Sequence, residues 1–125
     1  MTGRIRNVSS SHPIDLEEFR SAMRASGIEE IVRPMLELFA QEAPKGMLSL
    51  SSAMAARSLD EVRRAAHSLK SSAGNIRAKD LADLLQRLEA AADRQDEAEA
   101  TRLFGAVKLA YDAVLRQLSE SGIGA

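Results

Sequence analysis

Apolar residues in this chain recur three and four positions apart, stretch after stretch. Nowhere do four or more residues alternate with the β-branched character of a strand. Val62, Ala65, Ala66, Leu69, Ala73 and Ile76 form one stripe. Leu81, Leu84, Leu85, Leu88 and Ala92 form the next. Ala100, Leu103, Phe104, Val107, Ala110, Tyr111, Val114 and Leu118 form a third. The pattern predicts an all-α chain. Long stripes joined by short connections predict antiparallel neighbours. The expected fold is an antiparallel up-down four-helix bundle with an additional short N-terminal helix capping one end.

Asp15 and Glu18 have capping-box spacing, and Leu16, Phe19 and Met23 repeat at helical intervals, predicting a short helix that Gly27 ends. A second stretch starts near Ile28, with Ile28, Ile31, Val32, Met35, Leu36, Leu38 and Phe39 expected inward. Met47, Leu50 and Met54 carry the spacing on to Ala56. Pro34 and Pro44 each remove a backbone donor, so 28–56 reads as one kinked helix or as two collinear ones. Ser58 and Glu61 repeat the capping-box spacing and predict a helix from Leu59, weakened at its end by Gly74 and Asn75. Lys79 or Asp80 opens the next helix, and Asp93 to Asp96 is a polar turn. The resulting domain plan is a disordered tail over 1–13, Ser-rich through Ser11, then a bundle over 14–120. A flexible tail over 121–125, containing Gly122 and Gly124, ends the chain.

Composition narrows the function. Of 125 residues 21 are Ala, and the aromatics are only Phe19, Phe39, Phe104 and Tyr111, so the core must be thin and its helices close. The absence of Cys removes disulfide and thiolate chemistry and fits a reducing, cytoplasmic setting. No apolar run reaches the length of a signal peptide or a membrane span. The net charge of −1 does not favour a general nucleic-acid or membrane role. No Walker-type or Rossmann-type glycine pattern is present. The Ala and Arg content is compatible with a bacterial genome rich in G and C.

Two histidines remain. His12 lies in the Ser-rich tail and reads as a solvated residue. His67 lies roughly 140° around the helical wheel from Val62, on the solvent side of its stripe. Lys70 follows three residues on, within side-chain reach, and Ser71 and Gly74 are small enough to leave the imidazole approachable. An unperturbed imidazole titrates near ~6.5, so a substantial neutral fraction, with a nucleophilic nitrogen, is present at neutral pH. An ammonium beside it would favour an attached phosphoryl group. From Arg57 to Lys79 there are six basic residues, Arg57, Arg63, Arg64, Lys70, Arg77 and Lys79, against Asp60 and Glu61. From Asp80 to Ala100 there are seven acidic residues against Arg87 and Arg94. This predicts a locally basic face able to orient an acidic partner.

The segment AHSLKSSAGNIRAKDLADLLQRLE, Ala65 to Glu89, resembles the signature of histidine phosphotransfer (HPt) domains. His67, Leu69 and Lys70 match its His-x-Leu-Lys, and Leu81, Leu84, Leu85, Leu88 and Glu89 match the Leu-rich helix that follows. Leu38-Phe39 and Glu42-Ala43-Pro44 resemble the preceding helix, and the likeness extends over about 15–119. It implies that His67 is the phosphoacceptor and that Lys70 helps hold the phosphoryl oxygens. Arg63, Arg64, Ser71, Gly74 and Arg77 would meet the partner. It implies a relay between aspartates of response-regulator receiver domains, or of a hybrid histidine kinase. The chain would have no ATP site and no cofactor of its own, the Mg2+ belonging to the receiver. Ser71 stands where the family usually has Gly, and Arg77 where a second Gly is common; these departures bear on partner choice.

Other readings stay open on the residues alone. A helical adaptor could bind receiver or kinase domains without being phosphorylated. A dimeric phosphotransfer bundle is disfavoured, because this chain has enough apolar stripes to close a bundle as a monomer. One ordered His without a second His or Cys argues against a metal site. No helix-turn-helix signal supports DNA binding. A hydrolase is disfavoured because no general acid or base is evident beside His67 in the sequence.

Overall fold

The helical periodicity resolves into five helices in the computed structural model, which describes residues 12–124. They are α1 (Leu16–Ala25), α2 (Val32–Ala55), α3 (Leu59–Asn75), α4 (Lys79–Asp93) and α5 (Glu97–Glu120), with a 3-10 turn at Glu29–Ile31 before α2. No strand occurs among the described residues. Met1 to Ser11, most of the expected N-terminal tail, and Ala125 lie outside them. The architecture is the expected all-α bundle. Helices α2 to α5 run alternately up and down, each packed on the next, and a lighter contact between α2 and α5 closes the ring.

The stripes read from the sequence meet at the centre. Leu50, Val62, Leu81, Leu85, Leu88, Leu103, Val107 and Val114 are almost wholly buried, and among the described residues no charged or amide side chain is buried with them. Each such Leu or Val stabilises the fold by roughly 1.5–3 kcal/mol relative to an exposed one. Close approach depends on small residues: a Cβ placed on Gly46 would stand 2.7 Å from Leu69 Cδ2, so α2 lies directly against the helix that carries His67.

Helix α1 closes the end of the bundle where α3 stops and α4 starts. The Asp15 side chain accepts from the Glu18 backbone N–H, as the capping spacing predicts. The Ile14 N–H donates to Gln117 Oε1 at 2.7 Å, and Gln117 Nε2 donates back to the Ile14 carbonyl at 3.1 Å. Ile14 and Phe19 are fully buried.

Several expectations need correction. The stretch 28–56 is one continuous helix from Val32 behind a 3-10 turn. Pro34 falls in the first turn, where a missing N–H costs no intrahelical bond. Pro44 is inside the helix but on its exposed side, where the freed Ala40 carbonyl can be hydrated. Leu38 and Ile28 were expected inward and are exposed, because Leu36 and Phe39 already define the buried stripe. Ser58 precedes α3 as expected, yet its side chain makes no capping bond. Within the expected C-terminal tail Ile123 is buried, and Gly124 lies so close to Ala40 that a Cβ there would be 2.9 Å away.

All five helix ends close alike. After α1 to α5 in turn, residues Gly27, Arg57, Arg77, Gln95 and Gly122 take left-handed backbones. The next N–H then reaches back five residues, as in Ala78 N–H to Ala73 O at 2.9 Å. Glycine fits that conformation best, and Arg77 takes it at φ +64° with a side chain in place.

Candidate functional site

His67 sits at the centre of α3, with the buried stripe of Val62, Ala66, Leu69 and Ala73 behind it. Its side chain is 60% exposed, as the wheel predicts. The ring is nevertheless held. Nδ1 lies 2.9 Å from Oε2 of Glu89, which comes from the C-terminal third of α4. The other carboxylate oxygen, Oε1, is buried and faces Lys70 Nζ at 2.9 Å. Glu89 thus bridges the two residues the sequence singles out.

Glu89 is the residue that sequence reasoning missed as part of the site. It matched the Leu-Glu end of the motif, but nothing in the sequence brought it to the imidazole. The expectation that no general acid or base stands beside His67 is therefore wrong. Burial is the largest influence on the Glu89 carboxyl and pushes its pKa up. The contacts and charges of Lys70 and His67 outweigh it, so the net displacement is below the ordinary carboxylate value. Glu89 is ionised at neutral pH and can only accept. The hydrogen between it and His67 is consequently on Nδ1, and in the neutral ring Nε2 carries the free lone pair.

The remaining predicted residues separate into two groups. Arg63 and Arg64 flank the histidine one turn earlier, and both reach Asp60 at 3.2 Å. Ser71 stands one turn later, but its hydroxyl donates to the His67 backbone carbonyl at 3.4 Å, not to the ring. A Cβ on Gly74 would meet nothing within 4 Å, so the surface there is open as expected. Arg77 is different: it lies in the α3–α4 turn, its guanidinium 5.3 Å from the Phe19 ring centroid and bonded to the Asn75 carbonyl. It fastens α1 to the bundle.

The expected basic face is also largely cancelled in space. Arg57 pairs with Glu97, Lys70 with Glu89, Arg77 and Lys79 with Glu18, and Arg63 and Arg64 with Asp60. Only Arg57 and Lys70 are answered from the acidic block that follows; Arg63 and Arg64 are answered within α3, and Arg77 and Lys79 from α1. Around His67 the open surface is mostly small and uncharged: Ser68, Ser71 and Gly74.

Fold and site together define a helical bundle that presents one anchored, accessible imidazole from a rigid helix. Residues 34–117, well over half of the chain, match the family model of the Hpt domain, and the chain belongs to that family, whose members serve histidine phosphotransfer in phosphorelays. The match begins in α2, so α1 lies outside it. No curated protein and no solved structure matches the chain. No group of three or more acidic, His or Cys side chains suited to a metal ion occurs among the described residues. No helix there is long and apolar enough to cross a membrane.

Proposed function

We propose that this protein is a phosphorelay intermediate in which His67 takes a phosphoryl group from the aspartyl phosphate of one receiver domain and passes it to the aspartate of another. The observation that carries this reading is the Nδ1–Glu89 contact, which turns Nδ1 toward the carboxylate and leaves Nε2 as the nitrogen that the exposed ring presents to a partner. The Nε2 lone pair attacks phosphorus, and the P–O bond to the aspartate breaks with its electron pair leaving on that carboxylate. The rigid α3 supplies position, and the receiver supplies its own Mg2+.

Lys70 reaches the phosphoryl oxygens by turning from Glu89. Arg63, Arg64, Ser71 and Gly74 form the rim that a partner meets; Arg77 drops out of that rim. The near-neutral, small-residue surface around the imidazole supports close approach by a folded protein partner and gives no support to nucleic acid or membrane. A bundle closed by one chain supports a monomer, the lack of Cys fits a cytoplasmic setting, and the Ala and Arg content fits a bacterial one.

The test is transfer from a panel of radiolabelled phospho-receivers to wild type and H67Q. Acid-labile, alkali-stable label on wild type alone is expected. A folded wild type that takes no label from any receiver would replace this reading with a non-phosphorylated adaptor.

A further inference from the structure

Two hydroxyls on α3 make the same weak bond. Ser71 Oγ donates to the His67 carbonyl and Ser72 Oγ to the Ser68 carbonyl, each at 3.4 Å. Both carbonyls lie inside α3 and already accept the helical N–H four residues on. Neither oxygen needs the hydroxyl, so each hydroxyl is a donor free to turn about its Cα–Cβ bond. The two differ in direction. Ser71 is exposed and lies about 40° around the helix from His67, one turn on. Ser72 is partly buried and about 140° away, in a groove that it lines with Phe39 and Ala43 of α2. Side chains on a helix lean toward its N-terminus, so Lys70 and Ser71 cover the turn that carries His67.

We infer that Ser71 is a second holder of the phosphoryl group: once His67 is phosphorylated, the Ser71 hydroxyl leaves the carbonyl, donates to a phosphoryl oxygen and lengthens the time the group stays on the chain. This rests on the phosphoacceptor reading above.

The cost of responding favours Ser71 over the cations nearby. Lys70 must part from the buried Oε1 of Glu89, which it meets at 2.9 Å. Arg63 and Arg64 must part from Asp60. Ser71 gives up one bond at the outer limit of hydrogen-bond length, to an oxygen that stays bonded without it. An anionic phosphoryl oxygen is a stronger acceptor than a carbonyl, so the exchange is downhill. Ser68 is exposed too, but it lies about 100° around the helix from His67, toward Gly46 and Ser49 of α2.

Residence follows from the electron flow. In hydrolysis the N–P electron pair returns to Nε2 and water adds to phosphorus, leaving histidine and free phosphate. The loose transition state draws electron density from the phosphoryl oxygens toward phosphorus. A donor bonded to one of those oxygens opposes that shift and slows the loss.

The test is the decay of the isolated phosphoprotein. Wild type, S71A, S71T and S72A are phosphorylated with potassium phosphoramidate, freed of donor and followed by 31P NMR at a single pH, with H67Q identifying any signal from His12. S71A is expected to lose phosphate about three- to tenfold faster than wild type, the effect of one hydrogen bond to a charged group at an exposed site. S71T keeps the hydroxyl and should decay at nearly the wild-type rate. S72A should do the same, because it loses an identical helix bond on another side. Ser71 touches no core residue, so S71A keeps the fold, which circular dichroism checks. Equal decay of S71A and wild type would overturn the inference. Equal acceleration in S72A, or S71T decaying as fast as S71A, would do so too. An S71A protein that exchanges phosphate with receivers more slowly, yet decays as wild type does, would make Ser71 a partner contact instead. A wild type with no resonance that H67Q lacks would remove the phosphoacceptor reading and this inference with it.

Discussion

Nδ1 of His67 and Oε2 of Glu89 lie 2.9 Å apart, on neighbouring helices and twenty-two positions apart in the sequence. The contact fixes which nitrogen of the exposed ring is free, and it does so from outside the core. Replacing His67 should therefore remove chemistry without removing the fold. H67Q is expected to lose all acid-labile phosphate while its unfolding free energy stays within about 1 kcal/mol of wild type, since no core side chain is touched. Phosphate labelling and urea denaturation, run on the same preparation, check both halves.

Lys70 is two-sided, facing Glu89 now and the phosphoryl group later. K70A should slow transfer by about ten- to a hundredfold without abolishing it, because the receiver brings charges of its own. It should also cost roughly 1–3 kcal/mol of stability, since Glu89 Oε1 is buried and loses its cation. An unchanged transfer rate would remove Lys70 from the chemistry and leave it a purely structural partner.

The depressed Glu89 carboxyl links stability to pH. Its folded pKa is below the unfolded value, so the contribution is complete above the ordinary carboxylate range, near ~4.3, and is lost as pH falls through the folded pKa. E89Q should be less stable than wild type by about 1–2 kcal/mol at pH 7. That gap should narrow as the pH is lowered below about 4. Urea midpoints at several pH values measure it; a gap independent of pH would sink the linkage.

Gln95 is held at φ +61° in the α4–α5 turn, a conformation that strains any residue with a Cβ. Its side chain returns only one bond, to the Ala92 carbonyl at 3.3 Å. Q95G should stabilise the bundle by about 0.5–1 kcal/mol, seen as a Tm rise of roughly 2–6 °C. Phosphorylation should be unaffected. Arg57 and Arg77 share the strain, but each also makes an ion pair, so the gain there should be smaller.

The apolar spacing by itself determined the helical class and most of the core, and capping-box spacing the starts of α1 and α3, because both are local properties of the chain. It also placed His67 on the solvent side of α3, since the side opposite a buried stripe is exposed whatever the neighbour is. What it left undecided depends on which helices become neighbours. The continuity of α2 through Pro44 was settled by that residue's facing solvent, and the fate of Arg77 by the arrival of Phe19 beneath its guanidinium. The charge runs on either side of Asp80 predict a locally basic face, but packing sets α4 beside α3 and brings Glu89 to Lys70. The free nitrogen of His67 was decided in the same way. A tautomer is chosen by whatever touches the other nitrogen, and that atom comes from a helix whose position only the tertiary structure fixes.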